Sequence, residues 1–158
     1  MRNMKFIEDY KRYRESNGYI NLIWWALDQS FWVIIFYRVL SAINLFAPFI
    51  AKPLEKLVEF LTKCYLPSGV KIGGGLIIYH AHGIIINGRT VIGENCTLYA
   101  RVCIGNRWPG DVAPVIGNNV VIGTGAAIFG DVIIPDNSIV KANAVVTKND
   151  MSGVINAK

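Results

Sequence analysis

The sequence predicts a mainly β fold: a parallel β-helix of hexapeptide repeats, preceded by a small α-helical N-terminal region. Three observations predict it. Aliphatic side chains recur at every sixth residue in the second half of the chain, small or β-branched side chains follow most of them at a fixed offset, and 53% of the 158 residues are hydrophobic. So apolar a chain is not disordered, and its length suits one domain with a small appendage.

The six-residue period defines two columns of residues. The first column is aliphatic throughout and contains Ile86, Ile92, Leu98 and Ile104, then Ile116, Ile122, Ile128, Ile134, Val140 and Val146. The second column lies four residues further on and contains Thr90, Cys96, Val102, Val120, Ala126, Val132, Ser138 and Ala144. One large and one small inward residue per hexad describe a flat strand followed by a corner, and three strands close a triangular coil of about 18 residues.

Two interruptions of the period are visible. An earlier run of Ile72, Ile78 and Ile84 reaches Ile92 by a step of eight, which predicts a two-residue irregularity between Ile84 and Ile92. The polar, turn-rich segment 106–111 replaces a hexad and predicts a loop projecting from the coil. Loops on a rigid scaffold are frequent places for binding and catalysis.

The composition changes near residue 67, which predicts a helical region over 1–66 and a β-helical domain over 67–158. Asn17 and Asn21 are candidate helix caps, and Pro53 is expected to break a helix. Aromatic pairs such as Trp24-Trp25 favour packing on the coil or on another subunit. Docking on a membrane surface is the alternative.

The charge and cysteine content limit the class of protein. A net charge of +5, without a basic run interleaved with aromatic residues, argues against nucleic-acid binding and fits an anionic small molecule or membrane surface. Three cysteines without a CxxC spacing predict neither a disulfide framework nor a zinc site, and favour a cytoplasmic location. Asp28 and Arg38 interrupt the apolar stretches, so no transmembrane helix is expected.

Residues 78–87, Ile-Tyr-His-Ala-His-Gly-Ile-Ile-Ile-Asn, resemble a motif of the hexapeptide-repeat acyltransferases, above all the serine O-acetyltransferases and the capsule and exopolysaccharide O-acetyltransferases. Segment 102–107 resembles the coil that leads into the extended loop of that family, and segment 153–158 its C-terminal tail, with Asn156 in place of a proline. The resemblance implies a left-handed β-helix, acetyl-CoA as co-substrate, and a homotrimer with sites between neighbouring prisms. It places His80 at the catalytic-histidine position.

Three positions depart from the serine acetyltransferase pattern. Tyr79 and Tyr65 stand where those enzymes have acidic residues, and Ala113 stands where they have a histidine. The ammonium group of serine needs a carboxylate partner, whereas a sugar hydroxyl does not. The sequence therefore favours an acetyl-CoA-dependent O-acetyltransferase acting on a sugar of surface polysaccharide. A serine O-acetyltransferase is the alternative, and a non-catalytic scaffold is a distant third.

Acyl transfer to a hydroxyl needs a base for the proton, and His80 is the candidate. His82 falls on the inward column, which favours a structural role, although it adjoins the acceptor site. Trp108 either stacks on a ligand or anchors its loop. Lys141, Lys148 and Lys158 are each typical of a solvated surface charge, but together they would give the last coils and the tail a basic end for the phosphates of coenzyme A. The candidate acceptor contacts are Tyr79, His82, Asn106, Arg107, Trp108 and Asp111. The candidate coenzyme A contacts are Gly105, Gly123, Thr124, Gly125, Ala126, Lys141, Lys148 and Lys158. Two histidines are too few for a typical three-ligand catalytic zinc, so no metal is expected.

Overall fold

The structure is a computed structural model that describes residues 2–16 and 28–156. Three helices precede the strands in that part of the chain: α1 (Arg2–Ser16), α2 (Gln29–Phe46) and α3 (Pro48–Thr62). The strands form three sheets, which are the faces of a triangular prism. Face 1 contains β1 (Lys71–Ile72), β4 (Val91–Ile92), β7 (Val115–Ile116) and β10 (Ile133–Ile134). Face 2 contains β2 (Ile77–Tyr79), β5 (Thr97–Tyr99), β8 (Val121–Ile122), β11 (Ser138–Val140) and β13 (Val154–Asn156). Face 3 contains β3 (Ile85–Ile86), β6 (Cys103–Gly105), β9 (Ala127–Phe129) and β12 (Val145–Val146).

The chain visits the three faces in turn and completes four coils, which confirms the predicted left-handed parallel β-helix. Strands of successive coils pair in parallel and in register, so that Ile92 lies over Ile72 and under Ile116. The aliphatic column points inward, with exposed fractions of 0 to 2%. Stacking these side chains removes apolar surface from water along the whole prism, and this burial holds the coils together.

The predicted irregularity exists, but its position in the sequence was wrong. Ile86, rather than Ile84, pairs with Ile104, so the step of eight runs from Ile78 to Ile86. Ile84 and Ile86 are both fully buried, so either one fitted the aliphatic column of the first coil. The corner between β2 and β3 is therefore two residues longer than the matching corners of the other three coils, and it contains both histidines.

The helices pack at the start of the β-helix, where α2 lies against α3 and β2. The Arg38 guanidinium on α2 pairs with Asp9 on α1 at 2.7 Å and donates to the backbone oxygen of Ile72 at 3.0 Å. Asp28 caps α2 by accepting a hydrogen bond from the Ser30 N–H. The predicted break at Pro53 was wrong, because Pro53 lies inside α3. The candidate caps Asn17 and Asn21, together with Trp24 and Trp25, lie outside the described residues.

By length and composition, α2 is the one helix in the described ranges that could cross a membrane. This differs from the expectation that the polar residues leave no such stretch. Its residue Arg38, however, is bound to Asp9 and to backbone oxygens at the start of the β-helix. These contacts make α2 an anchor for the first coil.

Candidate active site

The predicted site residues lie along two edges of the prism. The corners that join face 2 to face 3 stack into the histidine edge, formed by residues 80–84, 100–102, 123–126 and 141–144. The corners that lead from face 3 toward face 1 stack into the loop edge, formed by 87–90, 106–114 and 130–132, with 147–148 following the last strand of face 3. At about 3.3 Å per residue, face 3 separates these edges by roughly 16 Å. Within one chain, His80 and the projecting loop are thus on opposite sides of face 3.

His80 and His82 are both exposed, on either side of a fully buried Ala81. The predicted inward position of His82 was wrong, because the small Ala81 side chain fills that space instead. His80 adopts the left-handed backbone conformation, with a φ of 56°, and Gly83 does so with a φ of 65°. His82 N–H donates to the His80 carbonyl oxygen at 2.7 Å, which closes a three-residue turn around Ala81.

A hollow of about 500 Å³ adjoins this corner, and it was not predicted from the sequence. Its lining residues are Gly83, Ile85, Tyr65, Lys56, Glu59, Phe60 and Lys63. The Glu59 carboxylate accepts a hydrogen bond from Lys56 at 2.8 Å, and the Lys63 ammonium lies 4.3 Å from the Phe60 ring centre. The helical spacing of Lys56, Glu59 and Lys63 places them on neighbouring turns of α3 and just past its end, but only the fold brings them to the histidine corner.

The three positions that depart from the serine acetyltransferase pattern have new contacts here. Tyr79 stacks on Tyr99 with ring centres 5.2 Å apart, and the Lys56 ammonium lies 4.9 Å from the Tyr65 ring centre. Ala113 is only 6% exposed. None of the three brings a carboxylate or an imidazole to the site, so any charge that binds an acceptor must come from other residues.

The projecting loop over residues 106–114 is present as predicted, and hydrogen bonds fix its base. Asn87 donates to Asn106 at 2.7 Å, and Asn106 donates to the Trp108 carbonyl oxygen at 2.7 Å. The Asp111 carboxylate accepts a hydrogen bond from the Trp108 N–H at 3.2 Å. The Trp108 side chain is 69% exposed and Arg107 is exposed, so both are accessible to a ligand or to another subunit.

The candidate coenzyme A residues divide between the two edges. Thr124 lies half-buried on the histidine edge with the exposed Lys141 nearby, whereas Gly105 and Lys148 lie at the loop edge. Ala126 is fully buried in the coil interior, so its predicted contact with a ligand was wrong.

The other candidates on these coils have structural explanations or lie outside the described residues. A Cβ at Gly123 would lie 2.6 Å from the Ala142 nitrogen, and one at Gly125 would lie 2.4 Å from the Asn143 side-chain oxygen, so close stacking of the coils already requires both glycines. Lys148 forms an exposed ion pair with Asp131 at 2.7 Å. Lys158 lies outside the described residues.

The cysteines do not offer a nucleophile. Cys96 is fully buried, and its thiol donates to the Gly117 carbonyl oxygen at 3.2 Å. Burial raises the pKa of both Cys96 and Cys103. A thiol with a raised pKa has little reactive thiolate at neutral pH, so neither of these two cysteines suits the role of nucleophile.

Comparison with known proteins points to the serine acetyltransferases. The enzyme of Helicobacter pylori is 38% identical over 107 residues, which are 66% of this chain and 63% of that protein. The enzyme of Staphylococcus epidermidis is 36% identical over 101 residues, which are 63% of this chain and 47% of that protein. The chain thus spans less than two thirds of the curated relatives that it matches. No family model matches the chain.

Solved serine acetyltransferases have the same fold. The soybean enzyme in complex with serine superimposes with a TM-score of 0.81 at 24% identity, over 92% of this chain and 63% of that chain. The Brucella abortus enzyme in complex with coenzyme A gives 0.79 at 18% identity, over 89% and 58%. The chain therefore resembles the hexapeptide-repeat acyltransferases, as its histidine motif implied.

The preference for a sugar acceptor was wrong. It rested on the three departures from the serine acetyltransferase pattern, yet relatives at 32 to 38% identity are serine acetyltransferases. The departures at positions 65, 79 and 113 therefore do not establish a sugar acceptor.

Proposed function

We propose that this protein is an acetyl-CoA-dependent serine O-acetyltransferase. The observation that carries the proposal is the 38% identity over 107 residues to a serine acetyltransferase. The exposed histidine corner adds the chemical group that the reaction needs.

In the proposed reaction, His80 acts as the general base. It takes the proton of the serine hydroxyl while the oxygen attacks the thioester carbonyl carbon of acetyl-CoA. The carbon–sulfur bond then breaks, and the proton passes to the departing sulfur to give O-acetylserine and coenzyme A. An imidazole suits both transfers near pH 7, because it accepts the proton in its neutral form and donates it as the imidazolium.

The hollow beside the histidine corner supports an amino acid as the acceptor. It combines one carboxylate, Glu59, with two ammonium groups, Lys56 and Lys63. A zwitterion matches this set, because its ammonium can pair with the Glu59 oxygen that Lys56 does not bind, and its carboxylate can pair with Lys63. A neutral sugar needs neither charge. We propose that Glu59 supplies the carboxylate that positions 65 and 79 lack.

Acetyl-CoA is proposed to bind along the histidine edge, with Thr124 and Lys141 on the coils beyond His80. Gly123 and Gly125 place no side chain on this edge, which lets an extended pantetheine arm approach the backbone closely. Lys141 is exposed and suits the phosphates of the nucleotide end.

We further propose a homotrimer. His80 and the loop are on opposite edges of one prism, so they meet only when the loop edge of one copy lies against the histidine edge of the next. The outer surface of face 3 supports such packing: Ile85 and Val145 are 52% and 59% exposed, with Cys103 and Ala127 between them. Closed rings of this kind are a common form of oligomer. Light scattering at micromolar concentration tests the proposal, and a monomer or a dimer would contradict it.

The test of the activity is release of free thiol from acetyl-CoA in the presence of L-serine, compared with simple sugars and nucleotide sugars at equal concentration. We expect serine to give the highest kcat/KM. A protein that turns over sugars faster than serine, or that releases no thiol with any acceptor, would contradict the proposal. The cytoplasmic location and the contact with a membrane stay predictions.

A further inference from the structure

The histidine corner is supported by its neighbours only in part. Arg101 N–H donates to the His82 oxygen at 2.8 Å and Gly83 N–H donates to the Lys63 oxygen at 3.0 Å, but within the described residues no backbone group of a neighbouring coil bonds to Ala81. In the other three coils, this corner has no extra residues, and its backbone groups pair with the coil above or below, as in the bond from Gly125 N–H to the Ala100 oxygen. Around Ala81 the first coil has two residues more than its neighbours, so coil stacking supplies no matching partner for them.

Two side chains at the start of α2 bind the backbone of Ala81 instead. The Ala81 N–H donates to the Ser30 hydroxyl oxygen at 3.2 Å, and the Ala81 carbonyl oxygen accepts from the Gln29 side-chain amide at 3.0 Å. The same amide donates to the Thr62 carbonyl oxygen at 2.8 Å, at the end of α3. Since Ala81 is fully buried, both of its backbone groups would otherwise be left unpaired, which is costly.

This clamp determines where His80 can be. His80 is exposed, so its side chain has little packing to hold it, and its place depends on a backbone in the left-handed conformation. The bond from His82 N–H to the His80 oxygen spans Ala81. Rotation of the Ala81 peptide groups would therefore carry His80 with it.

We infer that Gln29 and Ser30 are positioning residues for His80: by binding both backbone groups of Ala81, they hold the imidazole where it can take a proton. The inference rests on the proposed function, in which His80 is the base. Neither residue touches the acceptor in this scheme.

The experiment compares Ser30→Ala and Gln29→Met with Tyr37→Phe, a matched control on the same helix. The Tyr37 hydroxyl donates to the Val70 oxygen at 2.9 Å, so its loss removes one buried hydrogen bond between α2 and the first coil at a different corner. We expect Ser30→Ala and Gln29→Met to lower kcat by about 10- to 100-fold, because small misplacements of a reacting group are that costly. KM for acetyl-CoA should stay within about twofold, because loss of an interaction that acts only in the transition state lowers kcat and leaves KM unchanged. Tyr37→Phe should lower the Tm to a similar extent and keep its kcat, and Ser30→Thr should restore most of the rate.

A second readout is independent of activity. The chain has only two histidines, so histidine-selective isotope labelling gives two side-chain NMR signals. The clamp variants should shift the His80 signal, and Tyr37→Phe should not. Unchanged kcat and an unchanged His80 signal in both clamp variants, with His80→Ala inactive, would overturn the positioning role. A fully active His80→Ala enzyme would instead overturn the proposed function, and the His80 signal would then decide by itself whether the clamp holds the imidazole.

Discussion

The first coil and the later coils build the same corner by different means. In the later coils, backbone hydrogen bonds between stacked coils hold the corner, and residues such as Gly125 and Asn143 supply its left-handed turn. In the first coil, the corner is two residues longer: Arg101 still bonds to His82 from the next coil, but Ala81 is held by side chains from the helices. The regular corners accept residues as different as Gly125, Asn143 and Arg101 at the left-handed position. The enlarged corner exposes an imidazole, and the start of α2 binds the backbone beside it.

The largest effect is expected from removal of the His80 imidazole, the group that distinguishes the first corner. His80→Ala should lower kcat with serine by about 10²- to 10⁴-fold, the usual cost of losing a general base. His82→Ala is the matched control, because His82 is also exposed and lies two residues away; its kcat should change far less. Thiol release measures both, with circular dichroism to check folding. Reversed effects would assign the base to His82.

The next effect concerns the charges beside the corner. Glu59→Gln should raise KM for serine and lower kcat/KM by roughly 10- to 100-fold, since hydrogen bonds to charged groups contribute about 1.5–3 kcal/mol. Its control is Asp111→Asn, because Asp111 is on the loop edge and already accepts the Trp108 N–H. If Asp111→Asn impaired serine binding and Glu59→Gln did not, the carboxylate for the ammonium would come from the loop of a neighbouring copy.

Substitutions at two glycines compare how tightly a regular corner and the first corner are packed. At Gly123, in the third coil, a Cβ would meet the Ala142 backbone at 2.6 Å, so Gly123→Ala should lower the free energy of unfolding by about 3 kcal/mol through overpacking. At Gly83, a Cβ would lie 3.5 Å from the Arg101 side chain, so Gly83→Ala should cost only about 1–2 kcal/mol for its left-handed conformation. Urea unfolding measures both. Equal losses would mean that the first corner is packed as tightly as the regular ones.

The smallest expected effect is on the pH dependence of stability, and it concerns Glu55 of α3, which accepts a hydrogen bond from Ser68. Burial opposes the charge of Glu55, but hydrogen bonds from Ser68 and Lys52 outweigh it and lower the Glu55 pKa below its ordinary value of 4.5. A lowered pKa in the folded state stabilises the protein above pH 4.5, and this stability is lost as the pH falls through the folded-state pKa. Thermal melts between pH 3 and 6 should show a shallower acid dependence for Glu55→Gln.

Comparison with Glu55→Gln cancels the contribution of Asp9, whose pKa is raised by burial. Identical acid dependence in the variant and the wild type would show that Glu55 does not link α3 to the first coil.

The repeat was predictable because its signal is local and periodic: each inward position demands an aliphatic side chain. The phase of the first coil was not, because Ile84 and Ile86 are both aliphatic and both buried. The small size of Ala81 beside His82 was the available clue to which residue points inward. The clamp and the charged hollow could not be predicted, since Gln29 and Ala81 are 52 residues apart and meet only through the packing of α2.

The preference for a sugar failed for a related reason. The absence of acidic residues at positions 65 and 79 was read as the absence of a partner for an ammonium group. A carboxylate at another sequence position, such as Glu59, can face the same space once the chain is folded. Position-by-position matching overlooks such substitutes.

The last described strand, β13, runs in the opposite direction to its neighbour on face 2. It pairs antiparallel with β11, whereas the other neighbouring strands of the prism run parallel. A parallel coil is a template on which a further coil, from this chain or from another molecule, could assemble end to end. The reversed strand occupies the outer edge of face 2, whereas faces 1 and 3 end in β10 and β12. The two ends of the described prism therefore differ: helices pack against one, and at the other an antiparallel strand covers one of the three edges on which a further parallel coil would have to pair.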